Sequence, residues 1–186
     1  MDVTVTPSTR DRLLTAFEDI LIEDGERAAT LEAVAAKAGV SKGGLLYHFT
    51  SKEALAAGLT DRLLTMIATD VDEMKAAPEG IVSYFIRTSV STNSELDRTI
   101  IAAAHLAQGS HPKVKEALQK MQSIWLDVIR TEVSDPTVAR VIMLLSDGLY
   151  YNSALLPAVG SIVPSESDMD DLISLVTSLT ERRAAK

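Results

Sequence analysis

Apolar residues recur along the chain at intervals of three and four, with no sustained alternation of two, so the pattern predicts helices and no strand. Ser8 followed by Asp11 has the spacing of a capping box. Leu13, Phe17, Ile20 and Leu21 then form one stripe that ends near Gly25. Thr30, with Glu32 close behind, starts a second helix carrying Leu31, Val34, Ala35 and Ala38 and stopping at Gly39. A third, short helix begins at Ser41 and runs to about Phe49. Ser51 opens a long fourth helix that reaches Ala76, with Leu55, Leu59, Leu63, Met66, Ile67, Val71 and Met74 along it and Pro78 as its stop. Segments 79–92, 95–108, 112–132, 136–156 and 166–183 follow with helical spacing. Asn93-Ser94, Gly109 to Pro112, Asp135-Pro136 and Pro157 to Pro164 separate them. The expectation is an all-α chain: a three-helix head, a connecting helix and a larger helical body.

Composition removes several classes of function. The 186 residues are 46% hydrophobic and 24% charged, enough for a core in one large or two small domains. The absence of cysteine excludes a disulfide scaffold, a thiolate metal site and a cysteine nucleophile, and fits a reducing cytoplasm. The longest apolar stretch, Val138 to Gly160, is interrupted by Arg140, Asp147, Asn152 and Pro157, so no membrane span is expected. Asp2, Arg10, Asp11 and Arg12 leave no apolar core for a signal peptide, and a soluble cytoplasmic protein is expected. The histidines are His48, His105 and His111, and none has a glutamate three residues before it. There is no Gly-x-Ser-x-Gly elbow, phosphate-binding loop or dinucleotide fingerprint. An enzyme is not expected, nor a metal or cofactor.

The net charge of −8 argues at first against a nucleic-acid partner. Its distribution changes that, because residues 33–52 hold Lys37, Lys42 and Lys52 and no acid. In the same region Ala35, Gly39 and Leu45 stand at relative spacings of 0, +4 and +10. A tight helix-turn-helix over 30–49 needs a small residue where the helices cross, a glycine in the turn and an apolar residue packing the second helix back. Val34, Val40 and Leu46 are expected to complete this small core. Gly43-Gly44 in the first turn of a helix costs up to about 1 kcal/mol each against alanine. Packing alone does not explain two of them on an exposed turn, whereas close approach of the backbone to a phosphate or base edge does. Tyr47, His48 and Lys52 follow as polar groups able to reach phosphates.

The run Ser41 to Leu55, SKGGLLYHFTSKEAL, resembles the signature of the TetR family of bacterial transcriptional regulators, and the likeness extends over about residues 8–66. It implies the fold of that family, with nine or so helices. A DNA-binding domain would cover 7–67, and a ligand-binding and dimerisation domain 68–186. Carried onto this chain, the family pattern makes Ser41, Lys42, Gly43, Gly44 and Leu45 groove-facing, although Leu45, like Phe49, also reads as core. Tyr47, His48 and Lys52 become phosphate clamps, and Thr30 a phosphate contact at the start of the second helix. The implied partners are a double-stranded DNA operator, a small-molecule effector and a second copy of the chain. The implied mechanism is repression relieved when the effector shifts the fourth helix. An activator or metabolite sensor of the same fold, and a helical interaction or lipid-carrying module without DNA binding, are the alternatives.

Beyond residue 78 the resemblance thins. The spacing from His111-Pro112 to Trp125, and Ser146-Asp147-Gly148-Leu149, look like the branch that regulates multidrug efflux. Phe85, Trp125, Tyr150 and Tyr151 are the expected aromatic wall of an effector pocket, with core packing as the competing role. Asp147 lies in a helix that is apolar on nearly all sides, where a carboxylate faces water, pairs with a cation or is costly. A lipophilic cation would neutralise it, as would a salt bridge to a second subunit. Gly148 would let two helices approach. The apolar circumference of 136–156 and the stripe Met169, Leu172, Ile173, Val176 and Leu179 suggest a four-helix interface between two chains.

Overall fold

A computed structural model describes residues 7–90, 92–155 and 162–184, with the backbone alone at 155 and 181–184. The helices are α1 (Thr9–Glu23), α2 (Leu31–Ala38), α3 (Lys42–His48), α4 (Lys52–Ala76), α5 (Ile81–Thr88), α6 (Glu95–Ala107), α7 (Pro112–Glu132), α8 (Pro136–Tyr150) and α9 (Glu166–Ala184). A five-residue π-helix, Tyr151–Leu155, continues α8. Among the described residues there is no strand, and no helix is long and apolar enough to cross a membrane. The chain groups into two compact units. One joins the residues up to Thr65 with Arg98–Leu118, and the other joins Met66–Asp97 with the chain from Gln119 onward. Residues 98–118, assigned from sequence to the body, therefore pack with the head.

Local signals set the helix ends in the first unit. Ser8, Thr30 and Ser41 cap α1, α2 and α3, accepting from the backbone N–H three residues on. Gly39 adopts a left-handed conformation with φ 67°, and its N–H and that of Val40 bond back to Ala36 and Ala35. α1 packs on α2 and α2 on α3. Leu13, Leu14, Phe17 and Leu21 are buried together with Val34, Ala35, Leu45, Phe49, Leu55, Leu59 and Leu63. Leu46 does not join them. It is 39% exposed, because successive helical residues point about 100° apart and α3 buries only the side occupied by Leu45.

One carboxylate lies inside this unit. Glu18 is almost fully buried, accepts a hydrogen bond from Thr99 Oγ1 at 2.8 Å and sits 3.6 Å from Arg62 Nε. Beside it Arg98 pairs with Asp19. These contacts tie α6 to α1 and α4 within the unit. Burial pushes the Glu18 carboxyl above its ordinary value of 4.5, against the opposing pull of Arg62, Thr99 and Arg98. The folded chain thus keeps this proton to higher pH than the unfolded chain. The stability linked to it is complete below 4.5 and declines as pH rises through the raised value.

In the second unit α5 packs on α8 and α9, with Phe85, Ile86, Ile142, Ile173 and Val176 buried. Gly80 offers α5 no side-chain cap, so Glu132 at the end of α7 supplies one, accepting from the N–H of Ile81 at 2.8 Å and of Val82 at 3.3 Å. The Ser89 and Ser146 hydroxyls, both buried, bond to each other at 2.6 Å. α8 buries one face only: Val141 and Leu144 on α8 and Leu175 and Leu179 on α9 are exposed.

Replacing Thr99 with valine removes the short donor to Glu18 at nearly constant volume. The variant is expected to lose about 1.5–3 kcal/mol of unfolding free energy near neutral pH, the range for a hydrogen bond to a charged group. Urea unfolding followed by circular dichroism measures this, and the deficit should shrink toward pH 4.5, where Glu18 is protonated.

Candidate nucleic-acid interface

α3 has seven residues, and among them only the Leu45 side chain is buried. Leu45 is fully enclosed and presents nothing to a groove, which corrects its place among the groove-facing residues. Ser41 Oγ accepts from the Gly44 N–H at 3.0 Å, and this cap brings Lys42 and Gly43 to the surface with Gly44 partly covered. A Cβ on Gly43 would meet only Ser41 Oγ, at 4.0 Å. On Gly44 it would meet the same oxygen at 3.3 Å and the Val40 Cβ at 3.9 Å. Neither glycine makes room for a distant part of the chain. Gly58 is the contrast, since a Cβ there would lie 2.7 Å from Phe49 Cε1. Tyr47 is 86% exposed, with its ring edge-on to the exposed His48 at 5.1 Å between centroids. Thr30 is exposed at the start of α2, its Oγ1 accepting from the Ala33 N–H at 3.1 Å.

Each lysine of the basic stretch already has a carboxylate. Lys37 lies 2.6 Å from Glu23, and Lys42 lies 2.6 Å from Glu32. Hydrogen bonds from these lysines are the leading cause of the lowered pKa of both glutamates. Lys52 donates to the Glu26 carbonyl at 2.5 Å and lies 3.6 Å from its Oε1. The surface is therefore a set of locally neutralised cations, and contact with a phosphate is an exchange of one anionic partner for another. Two further cations were not among the expected DNA contacts. Arg10 is exposed, with its guanidinium 5.4 Å from the Phe49 ring centroid, and Arg27 is exposed in the turn before Thr30. Arg27 stands three residues before the Thr30 cap, a position from which its charge was legible.

The residues expected to form an effector wall are only partly united. Phe85 and Trp125 meet at 5.6 Å between centroids, tilted by 58°. Trp125 Nε1 donates to Asp70 Oδ2 at 2.7 Å, and burial raises the Asp70 carboxyl while this bond lowers it. Next to Phe85, the Tyr84 hydroxyl donates to Glu73 at 3.0 Å. Its own pKa is pushed up to about 12, chiefly by desolvation and then by that carboxylate. Tyr150 is occupied elsewhere, its hydroxyl donating to the Asp97 carbonyl at 3.2 Å, and Tyr151 is exposed. Asp147 is on the exposed side of α8, where partial desolvation raises its carboxyl and a bond from Gln122 lowers it. Nothing lies within 4 Å of a Cβ placed on Gly148. A separate apolar cavity of about 320 Å³ opens beside α8, lined by Leu144, Leu145, Leu149, Ile162 and Leu172 among others.

Comparison with known proteins is consistent across the length of the chain. The family model for bacterial regulatory proteins of the tetR family matches residues 13–59, and that for the tetracyclin repressor-like C-terminal domain matches 79–180. The HTH-type transcriptional regulator UidR of Escherichia coli K12 is 27% identical over 131 residues, covering 68% of this chain. The chain spans only 65% of the length of that relative. The HTH-type transcriptional regulator BetI of Rhizobium meliloti is 28% identical over 186 residues, covering 92% of this chain and 91% of BetI. Among solved structures, the multidrug binding protein EbrR complexed with malachite green shares the fold, with a TM-score of 0.62 and 19% identity over 94% of this chain and 99% of its own.

Because no neighbour occupies the Gly43 position, Gly43→Ala is expected to leave the chain folded and to raise its unfolding free energy by up to about 1 kcal/mol. Urea unfolding reads this directly, and a clear loss of stability would assign the glycine to packing.

Proposed function

This chain belongs to the TetR family of bacterial regulatory proteins, and on that footing we propose that it is a DNA-binding transcriptional repressor, active as a dimer and released from a palindromic operator by a small lipophilic effector. The observation that carries the DNA-binding part is the first turn of α3. Gly43 stands on the surface and Gly44 is partly covered, neither with a packing neighbour beyond its own cap region, which suits a backbone that must come close to a base edge or phosphate. In this reading Ser41, Lys42, Gly43 and Gly44 face the groove. Thr30, Tyr47, His48 and Lys52 contact phosphates, with Arg10 and Arg27 added as flanking cations.

The exposed apolar residues of α8 and α9 support dimerisation. Leu144 is 65% exposed and Leu175 60%, an expensive arrangement in water and a useful one against a second copy. Two copies would present two α3 helices to half-sites about 34–36 Å apart. For the effector, Phe85 and Trp125 supply two tilted rings with the Asp70 carboxylate on the indole and Glu73 on the adjacent Tyr84, a combination suited to a lipophilic cation. The malachite green bound by EbrR supports that class of ligand. Asp147, Tyr150 and Tyr151 are proposed as outlying contacts. Effector and DNA would each weaken the other by the same factor, typically worth about 1–3 kcal/mol.

A gel shift on the DNA upstream of the gene, with excess nonspecific competitor, tests the reading. Specific retardation that weakens steeply with salt is expected, together with its release by malachite green. Gly43→Ala should lose retardation while remaining folded. Retardation that malachite green leaves intact would remove the cationic effector and keep the regulator. If there is no retardation and a selection from random-sequence duplexes also yields no motif, DNA binding is refuted. The double variant Leu144→Glu, Leu175→Glu is expected to sediment as a monomer and to lose about 10²–10⁴-fold in affinity for a two-half-site duplex. An unchanged dimer mass would place the interface elsewhere.

A further inference from the structure

One ion pair joins the first turns of α2 and α3 on the exposed surface of the head. Glu32 stands two residues past the Thr30 cap, and its Oε1 lies 2.6 Å from Nζ of Lys42, the first residue of α3. Both side chains are more than half exposed. An exposed pair of this kind adds little to stability, so packing does not account for it. A carboxylate here is also at odds with a polyanionic partner, since it shares its helical turn with Thr30, a proposed phosphate contact. Its chemistry nevertheless suits a base edge. An ammonium carries three donors, so Lys42 can keep one on Glu32 and offer the others. A carboxylate has lone pairs to spare on two oxygens, so Glu32 can accept from a second donor. The pair therefore presents a donor and an acceptor side by side.

We propose that Glu32 and Lys42 together read one G·C base pair, which makes Glu32 a specificity-determining residue. The ammonium meets guanine O6 and N7, and the carboxylate accepts from the cytosine N4 amino group. In the major groove O6 and N4 of one pair stand about 2.9 Å apart, because they are hydrogen-bonded to each other, and N7 adds a second acceptor beside O6. An A·T pair in the same place sets an amino group against the ammonium and a carbonyl against the carboxylate. A T·A pair keeps the order but offers a methyl group where guanine has N7. Where only phosphates meet this turn, as on a nonspecific duplex, the carboxylate faces negative charge with no donor. It then acts as a repulsive element beside the attractive one. Lys37 and Glu23 form an equally short pair, at 2.6 Å, outside the proposed contacts, and serve as a control. The proposal rests on the DNA-binding reading above and adds the base pair that the first turn of α3 recognises.

Fluorescence anisotropy of the full-length protein at fixed salt tests this, with a duplex selected by the native protein from a random library and a scrambled duplex of the same composition. Glu32→Ala should lower the ratio of the two affinities by about tenfold. Glu23→Ala removes the same charge from an equally short pair and should leave the ratio unchanged. Circular dichroism checks that both variants fold. Each base pair of the selected duplex is then replaced in turn. At one G·C pair in each half-site, replacement by A·T should cost the native protein about tenfold in affinity and cost Glu32→Ala much less. Lys42→Ala should relax the same position, because both residues read one base pair. An unchanged ratio in Glu32→Ala, or an equal fall in Glu23→Ala, overturns the role of Glu32 in specificity. Penalties that are the same in native protein and Glu32→Ala at every base pair overturn the base reading. Failure to select any duplex removes the DNA-binding reading and this inference with it, an outcome distinct from the other two.

Discussion

A helix of seven residues does not persist in water by itself, and the surface of the head depends on how α3 is nonetheless held. Its restraints are few: the Ser41 cap at one end, the buried Leu45 on one side, the buried Phe49 just beyond the other end, and the left-handed turn at Gly39 that aims it from α2. Because so little of α3 is used for attachment, most of its circumference is free. The same economy explains why two helix-weakening glycines are tolerated in its first turn. The turn is stabilised by its cap and neighbours rather than by its own propensity, and the space left by the missing side chains is open to a partner.

Much of this was legible in the sequence because the signals are local. A capping hydroxyl announces itself within three residues of the amide it serves, and Ser8, Thr30, Ser41 and Ser51 all do so in the structure. The Ala35, Gly39 and Leu45 spacing encodes the crossing of α2 and α3 in the same way. Legibility ended first where two adjacent apolar residues, Leu45 and Leu46, compete for one inward direction. Leu45 and Leu46 look equivalent in composition, and only the line of contact with α2 separates them. The segment expected over 79–92 is shorter in the structure, because Gly80 takes a positive φ of 90° and α5 stops at Thr88.

Polar contacts between distant residues were not legible in detail. Trp125 was singled out, but its partner Asp70 is 55 residues away on a helix read only for its apolar side. Asp147 drew attention because its helix is apolar, yet the apolar residues around it are partly exposed, so a carboxylate there costs far less than one in a closed core. Glu18 carried the opposite and stronger signal. It stands between Leu14 and Leu21 at spacings of four and three on the buried face of α1, where an acid is out of place unless a donor is waiting. That signal was not among the expectations drawn from the sequence, and only the fold supplies Thr99 and Arg62 as its answer.

These long-range polar contacts also explain why two divisions of the chain disagree. Sequence likeness breaks between residues 59 and 79, whereas packing assigns 98–118 to the head. Apolar contact can be replaced by another apolar surface at modest cost, but a buried carboxylate requires its own donor. Cutting at the sequence boundary would leave Glu18 without Thr99 and Glu26 without His111. The head is thus defined chemically by partners that the other sequence domain provides. That dependence lets a change in residues 98–118 reach α1 and the start of α4 through bonds inside one compact unit.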